Sequence, residues 1–215
     1  MPAFAPGFAD RPLAIRGGFE AHLTVELSGD RRTDFEALCG ELGVDCIGIE
    51  LPDGVHRAQP MTASHHRGEL ADVIGEVEAL HARIVAAGFT IVRTKLEASA
   101  SNDGVPPPDD DGYFEFHVKV RVDREQPARL VELGRLARAC GGRLSRNDRR
   151  RDELASQRFV TMRVYRASRT IAEAQLDALL AALDAAGFDR ASIAREYTLY
   201  DSRIELDAGW LEPPA

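Results

Sequence analysis

The sequence predicts an α+β protein made by tandem duplication of a ferredoxin-like βαββαβ unit, with two antiparallel four-stranded sheets, each carrying two helices on one face. Three observations predict it: the chain repeats itself, apolar residues alternate with period two in the first strand of each half, and each half holds two helical stretches that stop at glycine. Val77–Phe89 lies over Leu176–Phe188 at a shift of 99, and both segments end in Ala-Ala-Gly-Phe. Gly43 meets Gly142 and Thr62 meets Thr161 at the same shift, while Phe19-Glu20-Ala21-His22 meets Phe114-Glu115-Phe116-His117 at a shift of 95. Several matches in order, at nearly one shift, are the mark of a repeat.

The elements follow in order. Phe19, Ala21, Leu23, Val25 and Leu27 share one face of the first strand, and Glu20, His22, Thr24 and Glu26 share the other. That alternation belongs to a strand with one side in the core. Thr33-Asp34-Phe35-Glu36 reads as a capping box opening a helix to about Leu42, with Gly43 as its C-terminal cap. Asp45–Leu51 is a second strand, Pro52-Asp53-Gly54 a turn and residues 57–64 a third strand. A long amphipathic helix runs from about Gly68 to Ala87, with His65 and His66 at its entry and Gly88 as its stop, and Ile91–Ala98 closes the half as a strand.

The second half repeats the series. Tyr113–Asp123 is a strand with Phe114, Phe116, Val118, Val120 and Val122 on its apolar face. Pro127 suits the first turn of a helix that ends near Gly141 and Gly142. Strands follow near 143–147 and 158–166, then a helix over about 171–186 capped by Gly187, and a last strand over roughly 192–201. The chain thus divides into an N-terminal arm (1–18), a first repeat (19–100), a Pro/Asp linker (101–112), a second repeat (113–201) and a tail (202–215). A tandem βαβββ arrangement is the runner-up, and the helix at 68–87, where that fold needs strands, counts against it.

Composition narrows the function classes. The 215 residues include 35 Asp and Glu against 27 Lys and Arg, a formal net charge of −8, which disfavours a general nucleic-acid coat or a basic membrane-surface protein. No apolar run approaches the ~20 residues needed to span a bilayer, and the start lacks a secretory pattern. Cys39, Cys46 and Cys140 show no C-x-x-C spacing and fit reduced thiols. A soluble, cytoplasmic protein is expected, with no membrane partner, no cofactor and no metal. No dinucleotide, Walker or nucleophilic-triad fingerprint stands in the sequence.

The polar rows of the strands carry the functional candidates. One row is Glu20, His22, Thr24 and Glu26, and its counterpart is Glu115, His117, Lys119 and Arg121. The third strands are expected to add Thr161, Arg163 and Tyr165, and Thr62, Ser64 and His66. The last strands are expected to add Lys95 and Glu97, and Arg195 and Tyr197. Arginine forks, a lysine and histidines on one sheet face suit a phosphate or carboxylate; a solvated outer face with cross-strand ion pairs, or an interface between subunits, remains the plainer account. His22 with His66 and Glu26 or Glu50 is a weaker metal-ligand alternative. The stretch Arg143–Arg158 mixes arginines with acids and reads as a solvated hairpin tip. Trp210 reads as an anchor for the tail, with a pocket wall as its functional alternative.

His22-Leu23-Thr24-Val25 resembles the H-x-T-x motif of the 2H phosphoesterases, a duplicated α+β family with one such motif in each lobe. The resemblance implies His22 and His117 as catalytic acid and base on a cyclic phosphate or related ester, with Thr24 holding phosphate oxygen. Lys119 stands where the second motif would have Thr or Ser. The expected ligand set is therefore Thr24, Lys119, Arg121, Thr161, Arg163 and Arg195. The expected partner is a small anionic molecule; nucleic acid enters only as an RNA end or nucleotide, and a homodimer stays open. The alternative is a non-catalytic binding or regulatory module, or a structural homo-oligomer.

Overall fold

The structure, a computed structural model, describes residues 2–11, 13–28, 31–51, 56–106, 112–123, 126–147 and 155–211. It is α+β, with eight strands and four helices in the order β1 (Arg16–Glu26), α1 (Arg32–Leu42), β2 (Asp45–Glu50), β3 (Ala58–Glu69), α2 (Leu70–Ala86), β4 (Thr90–Ser99), β5 (Tyr113–Asp123), α3 (Pro127–Ala139), β6 (Arg143–Asn147), β7 (Ala155–Tyr165), α4 (Arg169–Ala185) and β8 (Asp189–Asp201). A 3-10 turn at Ile204–Asp207 follows. Every described strand pairing is antiparallel. Among the described residues no helix is long and apolar enough to cross a membrane. The expected turn at Pro52–Gly54, residues 107–111 of the Pro/Asp linker and the arginines at 149–151 lie outside the described residues.

Two compact units emerge, one from Met1–Gly48, Gln59–Pro106 and Tyr197–Ile204, the other from Ile49–Ala58, Pro107–Glu196 and Glu205–Ala215. In the first unit β1 lies between β3 and β4. Its apolar row of Phe19, Ala21, Leu23 and Val25 is buried, and α2 packs on β1 and β4 with Val73, Ile74, Val77, Leu80 and Ile84. α1 joins this core through Phe35, whose ring is tilted against that of Phe89 with centroids 5.2 Å apart. Phe4 and Phe8 of the arm pack on Tyr200. In the second unit β7 lies between β5 and β6, and α3 and α4 touch each other and both cover β5. Phe114, Phe116, Val118 and Val120 fill its core.

Two separate four-stranded sheets are not what the strands form. Ile49 and Glu50, the end of β2, count with the second unit and pair there with Asn147 and Arg146 of β6, and β8 gives its first residues to the second unit and its last to the first.

Three local expectations are corrected. No capping box forms at Thr33: the helix already begins at Arg32, Arg31 is the cap residue without a side-chain capping bond, and Glu36 pairs with Arg32 one turn back. A charge pair at i and i+4 takes the carboxylate that the box needs. His65 and His66 do not sit at a helix entry, because β3 runs on to Glu69. Finally, Thr62, Ser64 and His66 do not join His22 on the polar face. In the β1–β3 register Ala21 faces Ser64, Leu23 faces Thr62 and Phe19 faces His66, so all three share the apolar, helix-covered face. A strand displaced by one residue turns every side chain to the other side. His66 therefore cannot join His22 in a metal set; Glu26 is exposed and Glu50 pairs with Arg146.

Candidate functional site

The polar faces keep their residues but not their solvent. Thr24, Lys95 and Glu97 in the first unit, and Glu115, Thr161 and Arg163 in the second, are buried. Charges in such surroundings persist only when paired. His22 Nε2 lies 3.2 Å from Glu97 Oε2 and 3.5 Å from Glu20 Oε1, and Lys95 Nζ is 2.7 Å from the other oxygen of Glu97. Thr198 Oγ1 donates to that same oxygen at 3.2 Å. The Nδ1 of His22 and the Oγ1 of Thr24 are both buried without a hydrogen-bond partner.

The second unit builds a matching group. His117 Nε2 lies 3.5 Å from both Glu115 and Glu196, and its Nδ1 is 3.0 Å from Thr161 Oγ1. Arg163, which faces Glu115 across the β5–β7 ladder, donates to it at 3.0 and 3.4 Å and to Asp207 at 2.7 Å, with Tyr113 beneath its guanidinium. His117, Thr161 and Arg163 thus come together. Lys119 instead sits 5.4 Å over the Phe159 ring. Arg121 is exposed and paired with Asp189, and Arg195 pairs with Glu173 of α4, one residue out of phase with Glu196.

Burial alone would lower the proton affinity of His22. The hydrogen bond to Glu97 and the charges of Glu20 and Glu97 outweigh it, against a smaller opposing push from Lys95, and hold the imidazole above its ordinary value of 6.5. The folded state binds this proton more tightly than the unfolded chain. The stabilisation is therefore complete below pH 6.5 and is lost as the pH rises through the folded-state value. A His22→Gln variant is expected to lose that part of the decline in urea midpoint above pH 6.5. An identical pH profile in both proteins would mean the imidazole gains no proton affinity on folding.

A different constellation lies on the helix-covered side of the first unit. Ser64 Oγ is 2.8 Å from His66 Nε2, and His66 Nδ1 is 2.6 Å from Glu76 Oε2. Ser64 and His66 are neighbours on one face of β3, and Glu76 descends from the second turn of α2. A carboxylate can only accept, so the neutral imidazole carries its proton on Nδ1 and presents Nε2 as acceptor to the serine hydroxyl. These side chains open on a cavity of about 480 Å³ between the end of α1, β3 and α2, with Leu42, Val44 and Leu80 as apolar walls and Arg83 at its edge. Strand alternation puts Ser64 with His66; Glu76 comes from a helix whose docking sequence spacing does not reveal.

No protein-family model matches the chain, and no curated protein matches it. Among solved structures, a protein of Fusobacterium nucleatum subsp. nucleatum named "Putative monooxygenase" is 11% identical, with a TM-score of 0.32, over 94% of this chain and 99% of its own. So slight a likeness carries no argument about activity, and the site is read from its own chemistry.

Proposed function

We propose that the first unit is a serine-nucleophile hydrolase or acyl transferase for small carboxylic esters, with Ser64 as nucleophile, His66 as general base and Glu76 as its orienting carboxylate. The observation that carries this reading is the unbroken relay of 2.8 and 2.6 Å opening on the cavity. The logic is that of any nucleophile–base–acid triad, which is recognised by geometry and role. Ser64 Oγ attacks the ester carbon while its proton passes to His66 Nε2, and the carbonyl electron pair moves to oxygen. Arg83 offers that oxygen a cation. Collapse of the adduct expels the alcohol, which takes the proton from His66. Water, deprotonated by His66, then attacks the acyl carbon, and His66 returns that proton to Ser64 Oγ as the acid leaves. Glu76 stabilises the imidazolium at both stages.

The test is covalent labelling with an alkyl fluorophosphonate, located by peptide mass spectrometry, beside hydrolysis of p-nitrophenyl acetate and butyrate. The expected result is an adduct on Ser64 and a fall of roughly 10³-fold or more in kcat on Ser64→Ala or His66→Gln. Glu76→Gln, on an exposed helix face, should cost about 10²–10⁴-fold without affecting folding. No adduct on Ser64, or turnover that survives Ser64→Ala, overturns the reading.

A second reading places a phosphoester-binding group on the polar face of each unit, with His22 as proton-transfer residue beside Thr24 in the first and His117 as its counterpart with Lys119 and Thr161 in the second. Its support is the orphaned Nδ1 of His22 beside the orphaned hydroxyl of Thr24. The parallel groupings of Glu20, His22 and Glu97, and of Glu115, His117 and Glu196, support descent of both halves from one ancestral unit. Against it, Arg121, Arg163 and Arg195 already have carboxylate partners. Turnover of 2′,3′-cyclic nucleotides that disappears in His22→Ala and His117→Ala, but not in Ser64→Ala, would select this reading.

A further inference from the structure

We infer that the second unit holds a binding cleft for a small organic oxyanion with an aromatic or apolar body. A cavity of about 470 Å³ between α3, β6 and β7 is lined by Arg57, Arg138, Arg143, Arg146 and Arg158 against a single acid, Glu50. Glu50 is taken by Arg146. Arg57 reaches only the carbonyl of Leu51 and Arg143 only that of Gly142, at 3.4 and 3.0 Å, and Arg138 is exposed on α3. Among the described residues, none of these three has a carboxylate partner.

That is unusual for this chain. The net charge is −8, and arginines elsewhere on its surface, such as Arg121, Arg190 and Arg195, have found acids. Three guanidiniums with no carboxylate partner among the described residues converge on one hollow and repel each other, and a bound oxyanion removes that cost while matching their forked donors. The rest of the wall is apolar. Val131 is 70% exposed, the largest exposure among the large hydrophobic side chains described, and Leu144 and Trp210 line the cavity with it. Trp210 donates its indole N–H to the Leu144 carbonyl at 2.8 Å, which holds the ring as a rigid surface. A second cavity, of about 570 Å³, also includes Arg143 and Trp210 and adds Arg163, a buried guanidinium whose Nη1 has no hydrogen-bond partner. A volume of this order suits a small metabolite, with the guanidiniums taking the phosphate or carboxylate and the indole the flat body. Arg143, Leu144, Ser145, Arg146 and Arg158, from the stretch that reads in the sequence as a solvated hairpin tip, thus line the cleft.

The only tryptophan reports on the site directly. Its emission is titrated with phenyl phosphate, with benzoate, with neutral benzyl alcohol and with inorganic phosphate. Saturable change is expected with at least one aromatic oxyanion, weakened by added salt, and none with benzyl alcohol at equal concentration. The stronger of phenyl phosphate and benzoate identifies the headgroup. Arg138→Met combined with Arg143→Met should weaken binding by about tenfold or more, and so should Val131→Glu, a change at an exposed position that leaves folding intact. Ser64→Ala should leave it unchanged, which keeps this inference separate from the proposed activity. Three results would each overturn it: no saturable change with either aromatic oxyanion, unaltered affinity in the arginine variant, or inorganic phosphate binding as tightly as phenyl phosphate.

Discussion

Replacing Glu97 by alanine is expected to destabilise the protein by about 3–5 kcal/mol, the range for removing one partner of a buried ion pair. Glu97 is fully buried, and it serves Lys95, His22 and Thr198 at once. Its loss takes from the Lys95 ammonium, itself buried, the carboxylate 2.7 Å away that offsets its desolvation. It also leaves the Thr198 hydroxyl without its acceptor. Urea unfolding gives the measurement. The double variant Lys95→Met with Glu97→Leu should recover most of the loss, since well-packed apolar side chains often replace a buried pair at little cost. A single-variant loss under about 1 kcal/mol would mean that water reaches this pair.

Arg163→Met is expected to have an effect of similar size, about 3–5 kcal/mol, for the mirror-image reason. It removes the guanidinium that two buried carboxylates, Glu115 and Asp207, share, where the first variant removes a carboxylate. Burial opposes the charge of Arg163, but Glu115, Tyr113, Asp207 and Tyr165 together hold its pKa well above the ordinary value, so the guanidinium stays charged at any working pH. The effect has a second readout. Asp207 ends the 3-10 turn, and its backbone carbonyl accepts from Trp210 and Leu211, which pack with Leu51 and Ile49. Losing the Asp207 side-chain anchor should loosen that segment and shift Trp210 emission to the red in the native state. Arg163→Lys keeps the charge but not the fork that reaches two acids, and should fall between wild type and Arg163→Met. Unchanged stability and emission in Arg163→Met would show that the tail is held by its apolar contacts alone.

The strands and helices were readable because each leaves a local period. β1 and β5 alternate in sequence, and their apolar rows are buried. Gly43, Gly88 and Gly187 each adopt positive φ just past a helix, where the sequence expects a stop. Phase within β3 was less readable. Aligning Thr62 with Thr161 puts Thr62 on the polar face, but the ladder sets Ala63 opposite His22, just as Thr161 stands opposite His117. A one-residue difference in connection length is invisible to a shift estimated from helices. It removed Thr62, Ser64 and His66 from one proposed site and gave Ser64 and His66 to another.

Charge pairing was the least readable feature. Alternation says which side of a strand is polar; it does not say whether water reaches that side. The chain alone therefore carried the two kinds of periodicity and the order of elements, because each depends on residues close in sequence. Burial of Glu97 and Glu115, the capture of Arg163 by an acid 44 residues away and the arrival of Glu76 at His66 came only with folding. Desolvation and charge pairing depend on which segments approach one another in space, and short-range sequence patterns do not carry that information.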